Sequence, residues 1–274
     1  MMWEGIVVLL RIGAMVYIGL LLVLAGCQRS MMYYPTTTSE ANAINIALAD
    51  GMEPWRDEDG GLVGWRYMQF SEDADAMLVF HGNAGFAGQR GYLAHGFAPD
   101  FAVHIMEYPG YGSRPGRPSE QAFFEAAREA FELLSQQHSG RIFLGGESIG
   151  TGVATYIASQ FPDRVAGLFL VTPYTSLVDV ARSHYPIFPV RLLMRDRFPS
   201  ETFLAQYSGP VAFVVAEHDE VVPARLGKAL YAGYEGPKRL WIQEGRNHNT
   251  LDYHPLSPWW SEVREFLHDH ASME

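Results

Sequence analysis

Residues 141–150 read Arg141-Ile142-Phe143-Leu144-Gly145-Gly146-Glu147-Ser148-Ile149-Gly150, and a helix-periodic stretch continues through Tyr156 and Ile157 to the Phe161-Pro162 break. The apolar run 141–144 is short enough for a strand, so the G-x-S-x-G of 146–150 falls between a strand and a helix. A turn sharp enough to expose a serine hydroxyl there forces strained backbone angles, and side chains at 146 and 150 would collide within it. The five-residue pattern alone carries little weight in a chain with 27 glycines; its strand-to-helix placement makes it informative.

Outward from this turn, apolar runs at 76–80, 101–106, 165–171, 211–216 and 239–243 alternate with helical patterns. Most are continuous in hydrophobicity, as in parallel strands covered on both faces. Helical spacing places Phe123, Ala127, Ala130 and Leu134 on one stripe of 119–137, which stops at Ser139-Gly140. Ser257-Pro258 opens a last helix with Trp259, Val263 and Phe266 expected to face inward. Residues 61–70 form one arm of an antiparallel lead-in after the turn at 57–61. The fold class is therefore α/β, a mostly parallel sheet between helices, across residues 40–274. Residues 173–210, rich in Tyr, Phe, Pro, Leu and Met without a clean strand, form a short cap insertion.

Composition removes several other classes. Net charge is −11, from 31 acidic and 20 basic side chains, so a nucleic-acid partner is not expected. Repeats, heptads and low-complexity runs are absent. The glycines 82, 85, 88 and 91 lie three apart, but no P-loop lysine follows and no dinucleotide fingerprint is present. No cofactor and no metal are expected; His268 and His270 are read as solvated tail side chains.

A serine hydroxyl needs a base to take its proton and a carboxylate to orient that base. The run 211–216 leads into Glu217-His218-Asp219-Glu220, and 239–243 leads into Glu244-Gly245-Arg246-Asn247-His248. Ser148, Asp219 and His248 then follow in the order Ser, Asp, His. Among ten histidines, only His248 and His254 closely follow the last strand; Glu217, Glu220 and Asp252 are the alternative acids. A tetrahedral oxyanion needs two aimed N–H groups. Ile149 supplies one, and Asn83 the other, with Ala84 as the alternative. Because these donors are peptide groups, Asn83→Ala is expected to be mild.

The motifs His81-Gly82-Asn83-Ala84-Gly85, Glu107-Tyr108-Pro109-Gly110-Tyr111-Gly112, the serine turn, Asp219-Glu220-Val221-Val222-Pro223 and Asn247-His248-Asn249 resemble the α/β-hydrolase superfamily from about residue 32 onward. They are similar to a membrane-anchored branch that includes lipid esterases and protein-depalmitoylating thioesterases. The resemblance implies an α/β-hydrolase fold, the triad Ser148, Asp219 and His248, and an acyl ester or thioester substrate. A peptidase or amidase on the same triad, and a surface-tethered binding protein without turnover, are the alternatives. In the cap, Tyr185, Phe188, Leu192, Leu193, Met194 and Phe198 either line an acyl pocket or pack the cap onto the sheet.

The amino-terminal 26 residues differ from the rest, with fifteen uncharged residues between Arg11 and Cys27. Leu24-Ala25-Gly26-Cys27 resembles the lipobox of bacterial lipoproteins, in which the cysteine is acylated. Residues 1–26 are thus expected to be an export or anchoring segment, and 27–39 a tether. An exported lipoprotein modified at Cys27 is favoured, a single-pass signal anchor is the alternative, and a buried core helix the third reading. Either of the first two associates the protein with a membrane. Cys27 is the sole cysteine, which excludes an intrachain disulfide.

Overall fold

The computed structural model describes residues 2–271; the outermost ends of the expected leader and domain, Met1 and residues 272–274, lie outside it. An eight-stranded sheet forms the centre: β1 Met52–Arg56, β2 Leu62–Tyr67, β3 Asp75–Phe80, β4 Phe101–Met106, β5 Ile142–Glu147, β6 Gly167–Val171, β7 Val211–Ala216 and β8 Lys238–Gln243. Its order is β8-β7-β6-β5-β3-β4-β2-β1. The six strands from β3 to β8 are parallel, and β1 and β2 are antiparallel additions at one edge. The expected lead-in arm is β2, and Met52–Arg56 is its partner.

Sheet position explains the burial of each strand. Every residue of β4 and β7 is buried, as continuous apolar runs require. In β8, by contrast, only Trp241 is buried, because an edge strand lacks a neighbour on one side. The helices are α1 Met2–Met32, α2 Glu40–Ala49, α3 Gly91–Phe97, α4 Glu120–Gln137, α5 Ile149–Gln160, α6 Leu177–His184, α7 Val190–Leu193, α8 Ser200–Leu204, α9 Ala224–Gly233 and α10 Pro258–His270. Ser119 caps α4 by accepting from the Ala122 N–H at 3.1 Å, and the expected stripe Phe123, Ala127, Ala130 and Leu134 is buried. In α10 the fully buried tryptophan is Trp260, with half-buried Trp259 stacked on it at 4.0 Å. His268 is not a free tail side chain: its Nδ1 lies 3.0 Å from the Arg141 guanidinium and its ring stacks on Phe101. His270 instead approaches the Phe266 carbonyl, so the two histidines do not share a ligand position.

The cap segment supplies α6, α7 and α8 between β6 and β7. It splits in two. Val178, Val190 and Met194 form a small apolar cluster of their own beside the Ser148 cavity, whereas Phe198 is fully buried against Phe123 and Phe124.

The amino terminus differs from its expected layout. Helix α1 runs unbroken through Gly26 and Cys27 to Met32, and none of its residues is buried. It is long and apolar enough to cross a membrane. The stretch 27–39, expected to be a tether, is fixed to the domain instead. Tyr34–Pro35 pair in parallel with Ala84–Gly85, and Thr37 bridges Gly112. Arg29 donates from Nε and a terminal nitrogen to both oxygens of buried Asp196, at 2.9 and 3.0 Å, and the buried Tyr33 hydroxyl donates to the same carboxylate at 3.0 Å. A buried carboxylate requires such partners, and a cation and a hydroxyl at the foot of the helix provide them.

The serine turn depends on two missing side chains. A Cβ on Gly150 would lie 2.0 Å from the Phe80 carbonyl oxygen, and one on Gly146 would lie 2.7 Å from the Gly150 carbonyl oxygen. Gly150→Ala is therefore expected to destabilise the fold by about 1–3 kcal/mol. Gly233→Ala, at a helical position with nothing within 4 Å, is expected to leave stability unchanged or raise it by up to about 1 kcal/mol. Thermal and denaturant unfolding of the two variants in detergent checks this; equal effects would mean that crowding at the turn is not limiting.

Candidate active site

Three loops at the carboxyl ends of β5, β7 and β8 carry the expected residues. Ser148, directly after β5, has φ 52° and ψ −119°, and its N–H donates to the Val171 carbonyl at 2.9 Å. A positive φ on a non-glycine residue is strained, and the backbone around it must hold it in place. Ile149 begins α5, so its N–H has no acceptor within the helix and points with the helix dipole.

Asp219 and His248 are brought together. The Asp219 Oδ2 atom lies 2.8 Å from His248 Nδ1, and the carboxylate side chain is 1% exposed. Its other oxygen accepts the N–H groups of Val221 and Val222 at 2.9 and 2.7 Å. Both oxygens thus have fixed partners, and the acid orients the imidazole with Nδ1–H as donor and Nε2 left free. Ser148 and His248 line one cavity of about 580 Å³ without a direct side-chain hydrogen bond between them.

Of the competing acids, Glu217 and Asp252 are otherwise engaged. Glu217 accepts the Gly245 N–H at 2.8 Å and lies 3.6 Å from exposed His218. Asp252 accepts from the Ser257 hydroxyl and the His254 N–H, and the Ser257 bond in particular lowers its pKa. Glu220 reaches the cavity from an exposed position. Among the described residues, no three of His, Cys, Asp or Glu form a group able to hold a metal ion. Cys27 is exposed on α1, and its carbonyl accepts from the Ser30 hydroxyl.

Asn83 also lines the cavity, and its side chain is not a bystander as the sequence reading supposed. Its amide nitrogen donates to the Met32 carbonyl, and its Oδ1 accepts from the Tyr34 N–H at 3.2 Å and the Tyr111 hydroxyl at 2.9 Å. Asn83→Ala is therefore no longer a mild change: it unties the loop from the foot of α1. The alternative Ala84 is held in the short pairing with Tyr34.

Glu147, the first of the two variable residues of the serine motif, was not singled out by sequence reasoning. Its carboxylate accepts the Gly82 N–H at 3.1 Å and the hydroxyls of Tyr92 and Tyr253, each at 2.9 Å. Burial raises the pKa of both tyrosines, and the adjacent carboxylate raises it further. Glu147 takes the Gly82 N–H, and Asn83, the next residue, lines the cavity. Thr172 was missed as well: φ is 48°, it lines the cavity, and its buried hydroxyl has no partner among the described residues. Neither feature leaves a signal in sequence spacing.

The expected pocket residues divide. Tyr185 and Met194 line the cavity, Phe188 and Leu193 lie farther along the cap, Leu192 is 84% exposed, and Phe198 only packs.

Comparison with known proteins agrees with this architecture. A family model described as the alpha/beta hydrolase fold matches residues 75–201. An uncharacterized protein of Mycobacterium tuberculosis, Rv2307c, is 35% identical over 266 residues, covering 94% of this chain and 93% of its own length. The lysophosphatidylserine lipase ABHD12 of Danio rerio is 29% identical, over 65% of this chain and 52% of its own. Among solved structures, Est1E from Butyrivibrio proteoclasticus with ferulic acid bound has a TM-score of 0.61 at 19% identity, covering 78% of this chain and 97% of Est1E. By sequence and by fold, this chain belongs to the α/β hydrolase family.

Proposed function

We propose that this protein is a serine hydrolase that cleaves carboxylic ester or thioester bonds through an acyl-enzyme, at a membrane to which α1 attaches it. The observation that carries the reading is the His248 Nδ1 to Asp219 Oδ2 contact of 2.8 Å, on the rim of the cavity that holds strained Ser148. Asp219 fixes the imidazole so that Nε2 faces the reacting centre. Ser148 Oγ attacks the acyl carbon while its proton passes to His248 Nε2. The carbonyl oxygen becomes an oxyanion held by the N–H groups of Ile149 and Asn83. As the intermediate collapses, the ester or thioester bond breaks and the departing alcohol or thiol takes the proton from His248. Water, deprotonated by the same nitrogen, then attacks the acyl-Ser148 ester and releases the acid.

The family likeness and the esterase and lipase names of its relatives and neighbours support hydrolysis of esters. A membrane location is supported by α1, whose 31 residues include only Glu4, Arg11 and Arg29 as charges. Whether residues 1–26 stay as part of a signal anchor or are removed ahead of a lipidated Cys27 is read from the intact mass of membrane-extracted protein.

Ser148→Ala is expected to abolish labelling by a fluorophosphonate and to lower ester hydrolysis at least about a thousandfold. Equal labelling of the folded variant would refute the nucleophile. Asp219→Asn keeps the shape of the site but permits the wrong imidazole tautomer, so kcat is expected to fall about ten thousandfold. Rates on p-nitrophenyl esters, matched thioesters and anilides separate the proposed chemistry from an amidase, for which the anilide would be the best substrate.

Asn83→Ala is expected to reduce kcat about tenfold by loosening the loop, from the loss of about 1.4 kcal/mol of positioning. Gly82→Ala places a Cβ 2.9 Å from the Glu147 carboxylate and is expected to cost about a hundredfold through the displaced Asn83 donor. Steady-state kinetics of both variants test this order; a Gly82→Ala enzyme as active as wild type would remove Asn83 from the oxyanion site.

A further inference from the structure

An apolar groove of about 110 Å³ opens between the last turns of α1 and the cap, and it continues the cavity of Ser148. Met31, Met32, Ala181, Tyr185 and Met194 line both spaces. Beyond them, Leu24 on α1 and Phe188, Val190 and Leu193 on the cap carry the groove away from the serine. Of its lining side chains only Gln28 and Tyr185 carry polar atoms, and those of Gln28 are already committed. The amide nitrogen donates to the carbonyls of Ala25 and Leu193 at 2.9 and 3.1 Å, and the amide oxygen accepts from the Arg195 N–H at 2.8 Å. Apart from the Tyr185 hydroxyl at the end nearer the serine, the side chains along the groove offer an occupant no hydrogen bond, which is a surface for hydrocarbon and not for peptide or sugar.

The direction of the groove identifies the source. Leu24, Gln28 and Met31 share one face of α1, and at 1.5 Å per residue the groove climbs roughly 10 Å along the helix, towards its uncharged portion. The cap follows farther: the Tyr17 hydroxyl donates to the Ile187 carbonyl at 2.9 Å, and the Tyr17 ring stacks on Phe188. Ile187 and Leu192 are 74% and 84% exposed there, an apolar surface that the hydrocarbon around α1 would cover. Arg191 on the same segment turns back to Asp179 at 3.7 Å. The Asp196 contacts to Arg29 and Tyr33 fix α1 against the cap, so the groove has a lasting second wall.

We propose that this groove holds the acyl chain of a lipid ester taken directly from the bilayer, with the anchor helix itself forming half of the chain-binding site. The inference rests on the ester-hydrolase reading above and deepens it. The chain enters between α1 and the cap at the depth of the hydrocarbon, and the ester carbonyl arrives at Ser148 with the headgroup towards the open cavity.

The test uses full-length protein in phospholipid nanodiscs. A palmitoyl lysophospholipid carrying a diazirine at the end of its chain is added to the Ser148→Ala variant and irradiated, and the adducts are mapped. Adducts on Leu24, Phe188 and Leu193 are expected; adducts confined to the bilayer-facing side of α1, such as Leu9 and Leu10, would overturn the proposal. Labelling that appears only in Cys27→Ser would show that processing at Cys27 removes the Leu24 wall or fills the groove with the protein's own lipid, and would overturn it too. In the otherwise native enzyme, Leu193→Trp is expected to lower the ratio of palmitoyl to butyryl ester hydrolysis at least about tenfold. An unchanged ratio with butyryl turnover intact refutes the groove alone. Groove adducts in a protein that cleaves neither ester refute the hydrolase reading instead.

Discussion

The backbone at Ser148 is held at φ 52°, a conformation that a side-chain-bearing residue adopts only when its surroundings leave no alternative. Those surroundings are two glycines without room for a Cβ, the Val171 carbonyl that takes the Ser148 N–H, and the start of α5. The same turn lifts the serine hydroxyl into the cavity, aims the Ile149 N–H, and sends Glu147 to the loop opposite. A parallel sheet supports such a turn well: β5 is flanked by β3 and β6, so its end cannot move without disturbing paired neighbours on both sides.

Much of this was legible in the sequence because it is local or periodic. Continuous apolar runs marked the six parallel strands to within three residues, and the stretches after β7 and β8 supplied Asp219 and His248 in order. Helix α2 and strand β1 were not singled out. The side-chain clusters were invisible for a different reason. Glu147 meets Gly82, Tyr92 and Tyr253, and Asp196 meets Arg29 and Tyr33, across separations of up to 167 positions. No spacing rule joins residues that meet only after the sheet has formed. Trp259 and Trp260 show the finer limit, since a one-residue shift in helical phase decides which tryptophan is buried.

The amino terminus is where sequence and structure differ most. Composition separates residues 1–26 from the rest because it registers hydropathy, and a polar stretch after an apolar one reads as a tether. The polar groups of that stretch are spent on the domain instead: Gln28 on the cap backbone, Arg29 and Tyr33 on Asp196, Tyr34 on Asn83. Polar side chains mark a linker only when nothing buried needs them. Here the loop bearing Asn83 and the foot of the helix are each other's support, which connects the proposed oxyanion donor to the proposed membrane anchor through a single side chain.

The carboxylate of Glu147 has a consequence for motion. It holds the backbone after β3, the tyrosine near the start of α3 and the tyrosine beyond His248, and the two tyrosine rings also pack on each other at 4.7 Å. Segments joined at one half-buried carboxylate do not fray one at a time, because releasing any of them frees a polar group that the others still surround. The rim of this site therefore opens as one cooperative unit, and its amides should exchange with solvent at a shared rate while the strands beneath remain closed.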